Sequence, residues 1–292
     1  MAAPARLNGK AALITGGSRG LGLAVAERFA GEGADLAVCA REEGPLREAA
    51  VRIEAARAHP DQRFLGLTAD VSDPEQVGRL VQRAVDHFGR IDALVCNAGV
   101  WGPIGPAETV DWDDWERAVR INLFGPVLAC RAVLPIMRRQ GGGQIVVLSG
   151  GGATQGMPRF SAYAASKAAV VRFVETLAGE LAGTGIDANA VAPGALNTRM
   201  LDQLLAAGPD LAGQQAYARG LRQREEGGAP LSRAVDLILH LAAGGAAGVS
   251  GRLIAALWDD WPTLAERREQ LEPTDVYLLR RIVPEDRGWP PS

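Results

Sequence analysis

Short apolar runs alternate with longer amphipathic ones along this chain. Residues 11–15, 35–40, 64–71, 91–96, 144–149, 186–192 and 253–258 are brief, largely apolar and bounded by Gly, Pro, Asn or Asp. They read as strands. Between them the apolar positions recur at helical spacing, as with Leu21, Val25 and Phe29 around Glu27 and Arg28. The same pattern predicts helices over 45–58, 75–88, 163–181 and 234–243, and a long helix opening at Trp112. Ser72-Asp73-Pro74 is a helix start. Residues 199–230 are helical but polar, broken at Gly208-Pro209 and Gly227-Gly228, and read as a mobile lid over a substrate. Past residue 258 the chain becomes a charged extension, 259–292, with 275–282 as a short ordered arm and Pro290-Pro291 near its end. No repeat of domain-building length occurs.

Candidate chemistry sits where the runs break. The first strand leads into Thr15-Gly16-Gly17-Ser18-Arg19-Gly20-Leu21-Gly22 and then a helix. Strand, glycine turn and helix cradle a pyrophosphate, because glycine lets the backbone approach and the helix start offers free N–H groups. The second strand ends in Ala40-Arg41 where an acid would suit a ribose 2′-hydroxyl. Arg41, with Arg19 across the pocket, suits a 2′-phosphate instead and points to NADP(H), with NAD(H) possible; Glu42 and Glu43 pull the other way. Asp70 and Val71 end the third strand beside the expected adenine, unless Asp70 is simply a turn acid. Asn97-Ala98-Gly99 gives the fourth strand a small-residue exit. Asn122 is a polar residue in an apolar stretch, either capping a backbone break near Gly125-Pro126 or holding a water near the site.

Tyr163 and Lys167 lie four residues apart in an alanine-rich run, so both leave one helix face. The ammonium is expected to favour phenolate, lowering the tyrosine pKa toward working pH.

Composition changes little. The chain has 292 residues, 47% hydrophobic and 22% charged, as for a globular protein with a sizeable core. A net charge of −3 gives no argument for nucleic acid. Cys39, Cys96 and Cys130 lack metal-ligand spacing and read as buried thiols. No apolar run reaches a membrane span and the first ten residues lack a signal-peptide core, so a cytoplasmic protein without membrane or nucleic-acid partners is expected.

Taken together, the glycine turn, Asp70-Val71, Asn97-Ala98-Gly99, Asn122, Tyr163-Ala164-Ala165-Ser166-Lys167 and Pro193-Gly194 with Thr198 resemble the short-chain dehydrogenase/reductase family over residues 9–255. The resemblance implies an α/β, doubly wound Rossmann fold, with a seven-stranded, mostly parallel sheet and helices on both faces. It makes residues 1–258 one nucleotide-binding and catalytic domain. It implies a dimer or tetramer joined through the helices carrying Asn122 and Tyr163, and hydride transfer with a small-molecule carbonyl or alcohol. Tyr163 would be the general acid/base, Lys167 would bind the nicotinamide ribose and tune Tyr163, and Asn122 would hold a relay water. Gly16, Ser18, Arg19, Gly20, Leu21, Gly22, Arg41, Asp70, Val71, Asn97, Ala98 and Gly99 would contact the nucleotide, and Pro193, Gly194 and Thr198 its nicotinamide amide. Substrate contacts are expected from Trp101, Gly151, Met157, Phe160 and the lid.

The pattern departs at the substrate-orienting serine. Its usual place, thirteen residues ahead of the tyrosine, is Gly150, and Ser149 stands one residue earlier. Either the loop is one residue longer and Ser149 acts, or the hydroxyl is missing and Thr154 or Ser161 replaces it. A lost donor of this kind costs on the order of 3 kcal/mol at the barrier. That departure motivates an alternative, a nucleotide-binding relative of weak activity serving as a sensor or scaffold. The extension is a second departure and is placed to cover a neighbouring subunit's pocket.

Overall fold

The structure is a computed structural model and describes residues 5–289. The ends of the expected terminal segments, Met1 to Pro4 and Pro290 to Ser292, lie outside the described residues.

Seven strands form one sheet in the order β3-β2-β1-β4-β5-β6-β7. They are β1 (Ala11–Thr15), β2 (Asp35–Ala40), β3 (Phe64–Thr68), β4 (Ala93–Cys96), β5 (Gly143–Leu148), β6 (Ile186–Ala192) and β7 (Leu253–Ala255). Every pairing is parallel. Both faces of the central strands are buried, which is why they read as continuous apolar runs rather than alternating ones. Helices α1 (Gly20–Gly31), α2 (Glu43–Ala55) and α9 (Leu231–Ala242) cover one face, with Phe29, Leu36 and Ile238 in that core. Helices α3 (Pro74–Phe88), α5 (Gly125–Gln140) and α6 (Ser161–Glu180) cover the other, around Leu94, Val133 and Val174. The expected doubly wound α/β arrangement is present, with the sheet wholly rather than mostly parallel.

Strand ends are shorter than the apolar runs, for local reasons. β3 stops at Thr68 because Asp70 turns the chain, its Oδ1 accepting from Ser72 N at 2.9 Å and Ser72 Oγ at 2.6 Å. At β4, Asp92 accepts the Ala11 N–H through its side chain at 2.8 Å in place of a ladder carbonyl. β7 ends at Ala255 because Asp259 folds back to accept the Ala255 N–H at 2.6 Å. The expected start of α3 holds: Asp73 caps Glu75 N and Gln76 N at 2.9 and 3.2 Å, with Pro74 in the first turn.

The long helix from Trp112 is three pieces: α4 (Trp112–Val119), a π-helical turn (Arg120–Phe124) and α5. Its composition and length are enough for a membrane span, contrary to the expectation that no run would be. Ile121, Ala129, Cys130, Val133 and Met137 are buried against the sheet, so it serves here as a core helix. The segment expected as a lid forms two helices, α7 (Arg199–Ala212), kinked at Gly208 with φ 71°, and α8 (Gln214–Glu226).

The extension folds back on its own chain. Arg252 is only 7% exposed and donates to the carbonyls of Leu271, Thr274 and Val276 at 2.8, 2.9 and 2.6 Å. Leu253 N donates to Tyr277 O at 2.8 Å. Leu279 N reaches Glu175 Oε1 on α6 at 2.6 Å, and Arg172 donates to the Leu279 carbonyl. Residues 271–279 thus lie along the open side of β7, the kind of edge that native sheets cover. Residues 271–279 thereby cover an edge of this chain's own sheet.

Candidate functional site

The carboxyl ends of the strands open into a cavity of about 1210 Å³ that extends across the sheet. At one end lies the glycine turn. A Cβ on Gly22 would sit 2.3 Å from the Gly16 carbonyl oxygen, and one on Gly16 would sit 2.8 Å from Ala98 Cα. Only glycine permits this closeness. Helix α1 starts behind the turn with no side-chain cap and no acidic residue in its first turn, leaving its N–H groups for an anion. Asn97 holds the arrangement together: its Nδ2 donates to the carbonyls of Thr15 and Gly16 at 3.1 and 2.9 Å. Thr15 Oγ1 accepts from Asn97 N and Ala98 N at 3.1 and 3.2 Å. Thr15 is therefore a positioning residue, tying the β4 exit to the glycine turn.

At the β2 end, Arg19 is paired with Glu42 at 3.2 Å, while Arg41 is exposed and lines the cavity. Asp70 lines the cavity too, although its Oδ1 is engaged in the turn with Ser72, the plainer of the two expected roles. Val71 is buried and packs against Gly125, whose Cβ would meet Val71 Cγ2 at 3.0 Å.

Tyr163 and Lys167 project from the first turns of α6, both buried. Lys167 Nζ donates to Leu148 O at 2.7 Å and sits 5.9 Å from the centre of the Tyr163 ring. The π-turn delivers Asn122 between the β4 exit and α6. Its Oδ1 accepts from Val100 N at 2.9 Å, and its Nδ2 donates to Val100 O at 2.9 Å and Ser166 Oγ at 3.0 Å. Ser166 in turn donates to Tyr163 O at 2.8 Å. Single π-turns inside helices commonly mark functional sites. The amide of Asn122 is fully engaged here in positioning the helix turn that carries Tyr163. Ser166 was not anticipated; a serine three residues after the tyrosine on a helix was the available signal.

The pKa directions differ from the expectation. Burial pushes the Tyr163 phenol up to about 12 and pulls the Lys167 ammonium down to about 8. Trp101 covers the phenol ring at 4.4 Å between centroids, and Phe160 backs Trp101 at 5.0 Å. Desolvation of the buried phenol is what sets this direction.

The serine position resolves into two directions. Ser149 Oγ donates to the Lys167 carbonyl at 3.3 Å, into the backbone of α6. A Cβ on Gly150 would lie 2.3 Å from the Tyr163 hydroxyl. Position 150 therefore faces the tyrosine and carries no side chain. Of the expected substitutes, Thr154 lines the cavity, whereas Ser161 Oγ accepts from Trp115 Nε1 at 3.1 Å and faces α4.

Pro193, Gly194 and Thr198 line the cavity at the β6 exit. Gly194 has φ 90° and is hemmed by Leu257 and Ala229. Thr198 approaches the glycine turn; a Cβ on Gly20 would lie 3.7 Å from its Cγ2. Trp101, Gly151, Met157 and Phe160 all line the cavity, as does α7 through Met200 and Leu204. Trp101 Nε1 also donates to Met200 O at 2.7 Å, joining the β4 exit to α7. Unanticipated lining comes from Trp258 and from Tyr277, Leu278 and Leu279 of the extension.

Residues 10–207 match the family model described as short chain dehydrogenase. The chain is 41% identical over 198 residues to levodione reductase of Leifsonia aquatica, covering 68% of this chain and 73% of that protein. A crystal structure of levodione reductase superposes with TM-score 0.78 and 30% identity, over 89% of this chain and 99% of the other. Carveol dehydrogenase from Mycobacterium avium, solved in complex with NAD, superposes with TM-score 0.76 and 27% identity, over 86% of this chain and 97% of that one.

Proposed function

The chain belongs to the short-chain dehydrogenase family, and from that premise we propose that it is an NADP(H)-preferring oxidoreductase acting on a carbonyl or secondary alcohol, with Tyr163 as general acid/base. The observation that carries this is that Tyr163 and Lys167 line the same cavity as the glycine turn. The turn fits a dinucleotide: its close glycines and uncapped helix start would hold the pyrophosphate through Gly16, Ser18, Arg19, Gly20, Leu21 and Gly22. Asp70, Val71, Asn97, Ala98 and Gly99 would border the adenosine and its ribose, and Pro193, Gly194 and Thr198 the nicotinamide. When bound, the nucleotide supplies or accepts hydride.

The chain's own residues do the rest. Tyr163 Oη gives a proton to the substrate oxygen in reduction and takes it in oxidation. Lys167, freed from Leu148 O, holds the ribose and adds positive charge beside the phenol. Asn122 fixes the Val100 backbone and, through Ser166, the turn bearing Tyr163. Ser149 enters the catalytic set only by rotating its hydroxyl away from Lys167 O. Arg41, exposed and lining the cavity beside the ribose end, supports NADP(H); the Arg19–Glu42 pair leaves NAD(H) usable. Residues 199–230 act as the lid. Trp112 and Phe124, 65% and 45% exposed, support self-association through the helices carrying Asn122 and Tyr163.

The test is Tyr163→Phe assayed on a panel of ketones and secondary alcohols. Loss of turnover with NADPH binding intact supports the reading; turnover at the wild-type level sinks it. Gly150 favours a second reading, a nucleotide-binding relative of weak activity. In that case the wild-type chain binds NADPH yet matches Tyr163→Phe on every substrate.

A further inference from the structure

The charges that line the cavity are unevenly spread. Among the described residues its carboxylates are Glu42 and Asp70, at the β2 and β3 ends, and both are engaged, Glu42 with Arg19 and Asp70 with Ser72. From Tyr163 across to α7 and α8 the charged lining residues are Lys167, Arg199 and Arg219, all positive. That sign runs against the chain's net charge of −3. A cleft lined by one sign of charge concentrates ligands of the other.

Arg199 and Arg219 face different parts of the cavity. Arg199 follows Thr198, which approaches Gly20, and so stands beside the expected pyrophosphate. Arg219 shares one face of α8 with Ala216 and Gln223, a turn to either side, and all three line the cavity. Ala216 packs on the cluster that holds Tyr163, Phe160 and Leu204. Gln223 Nε2 donates to Asn197 Oδ1 at 3.0 Å, which ties the other end of the face to the β6 exit. Gly220 lets the helix come close, since a Cβ there would sit 2.9 Å from Leu204 Cδ2. Helical side chains lean toward the helix N-terminus, which for Arg219 is the side of Ala216 and the tyrosine. Ala216 is only about 4.5 Å back along the axis, less than the length of an arginine side chain. Among the described residues no carboxylate pairs with Arg219, whereas Arg224, further along α8, is held by Asp202 at 2.9 Å. Arg219 is exposed, so water supports its charge until a ligand replaces it.

Resting on the oxidoreductase reading above, we propose that Arg219 binds a carboxylate of the substrate, which is a keto acid or a hydroxy acid. The reacting carbon lies at Tyr163, the carbon skeleton against Trp101, Met200 and Leu204, and the carboxylate is carried toward α8. One guanidinium matches one carboxylate through two parallel hydrogen bonds. A dianion such as a phosphate would keep a charge without a partner beside that apolar surface.

The experiment uses the full-length chain and two matched pairs of ketones, 4-oxopentanoate and 3-oxocyclohexanecarboxylate, each against its methyl ester. Equilibrium binding to the NADP-saturated protein is read from fluorescence, since Trp101 lines the cavity, and kcat and KM are read with NADPH. Arg219→Gln keeps a long side chain without the charge, and Arg219→Lys restores the charge without the fork. Melting temperatures and the Kd for NADPH are recorded for each. The proposal is supported if wild type prefers an acid to its ester at least tenfold, if salt shrinks that preference, and if Arg219→Gln abolishes it through Kd and KM while Arg219→Lys regains part of it. It is overturned if wild type prefers neither acid to its ester, or if Arg219→Gln weakens acid and ester equally. It is overturned too if Arg219→Gln weakens NADPH as much as the acid, which assigns the arginine to the nucleotide. If the acids bind with the expected preference but Tyr163→Phe turns them over as wild type does, the oxidoreductase reading fails and the carboxylate site stands.

Discussion

A side chain at position 150 would begin 2.3 Å from the hydroxyl oxygen of Tyr163. No real Cβ tolerates that distance, so glycine here is what lets the tyrosine reach its present position. Gly150→Ala should displace Tyr163 or the loop, at an overpacking cost of about 1–3 kcal/mol. Turnover should fall at least tenfold with NADPH affinity retained. An alanine variant as stable and active as wild type would show that the tyrosine reaches its working position elsewhere.

Lys167 should make stability depend on pH in a recognisable way. Burial lowers its pKa from 10.5 to about 8, so between those values the unfolded chain binds more protons than the folded one. The cost of the buried charge is complete below pH 8 and is relieved as pH rises toward 10.5. Relative to Lys167→Met, wild type should gain roughly 2 kcal/mol between pH 8 and pH 10 in urea unfolding. Tyr163 works oppositely: its pKa is raised from 10 to about 12, and the stability it contributes is lost as pH climbs through that higher window. A flat difference between the two proteins from pH 8 to 10 would contradict the buried ammonium.

Asn122→Leu keeps the branched shape of the asparagine side chain, in a larger volume, but takes the partner from Val100 N, Val100 O and Ser166 Oγ. Unsatisfied buried groups cost about 1–3 kcal/mol each. Chemical denaturation should show a loss of several kcal/mol, and Ser166→Ala a smaller one. If Asn122→Leu unfolds like wild type, the side chain is not the splint described above.

Arg252→Met removes the donor to three half-buried carbonyls at the β7 edge, of which Leu271 O keeps Thr274 N and Thr274 Oγ1 as donors. A loss of about 1–3 kcal/mol follows from the acceptors of Thr274 and Val276. Protease should cut first between residues 271 and 279. Unchanged resistance there would mean the segment holds without its arginine.

Arg41→Ala tests cofactor choice. Removing a guanidinium that pairs with a 2′-phosphate should raise the Kd for NADPH about tenfold, about 1.4 kcal/mol, and leave NADH within twofold. Equal effects on the two nucleotides would remove the ground for NADP(H) preference.

Tyr163 and Lys167 were legible because helical spacing needs only local sequence, and the glycine turn because it follows the first buried run. The sheet was legible for the same reason: strands covered on both faces leave no polar alternation to misread. Other features depend on direction or on backbone. Neighbouring residues leave an extended chain on opposite sides, so sequence placed a serine within one residue of its usual place ahead of the tyrosine but not the way Ser149 faces. The π-turn adds no unusual residue type, and Asn122 therefore showed only as a polar anomaly. Arg252 has backbone carbonyls as partners, which no side-chain pattern records; the path of residues 271–279 was hidden with it. The phenol's direction of shift required knowing that Trp101 closes over it.

The strand order has a bearing on how the chain is made. β1 lies between β2 and β4, yet β2 and β3 leave the ribosome well before β4 does. During that interval the nascent sheet ends in Ala11–Thr15, every residue of which is buried in the finished protein. At synthesis rates of about 5–20 residues per second, this sticky central edge is open for a second or more before Ala93–Cys96 can close it. Growth conditions that slow translation between residues 68 and 93 should therefore lower soluble yield, and bound chaperone should be found on chains stalled there, whatever the stability of the completed protein.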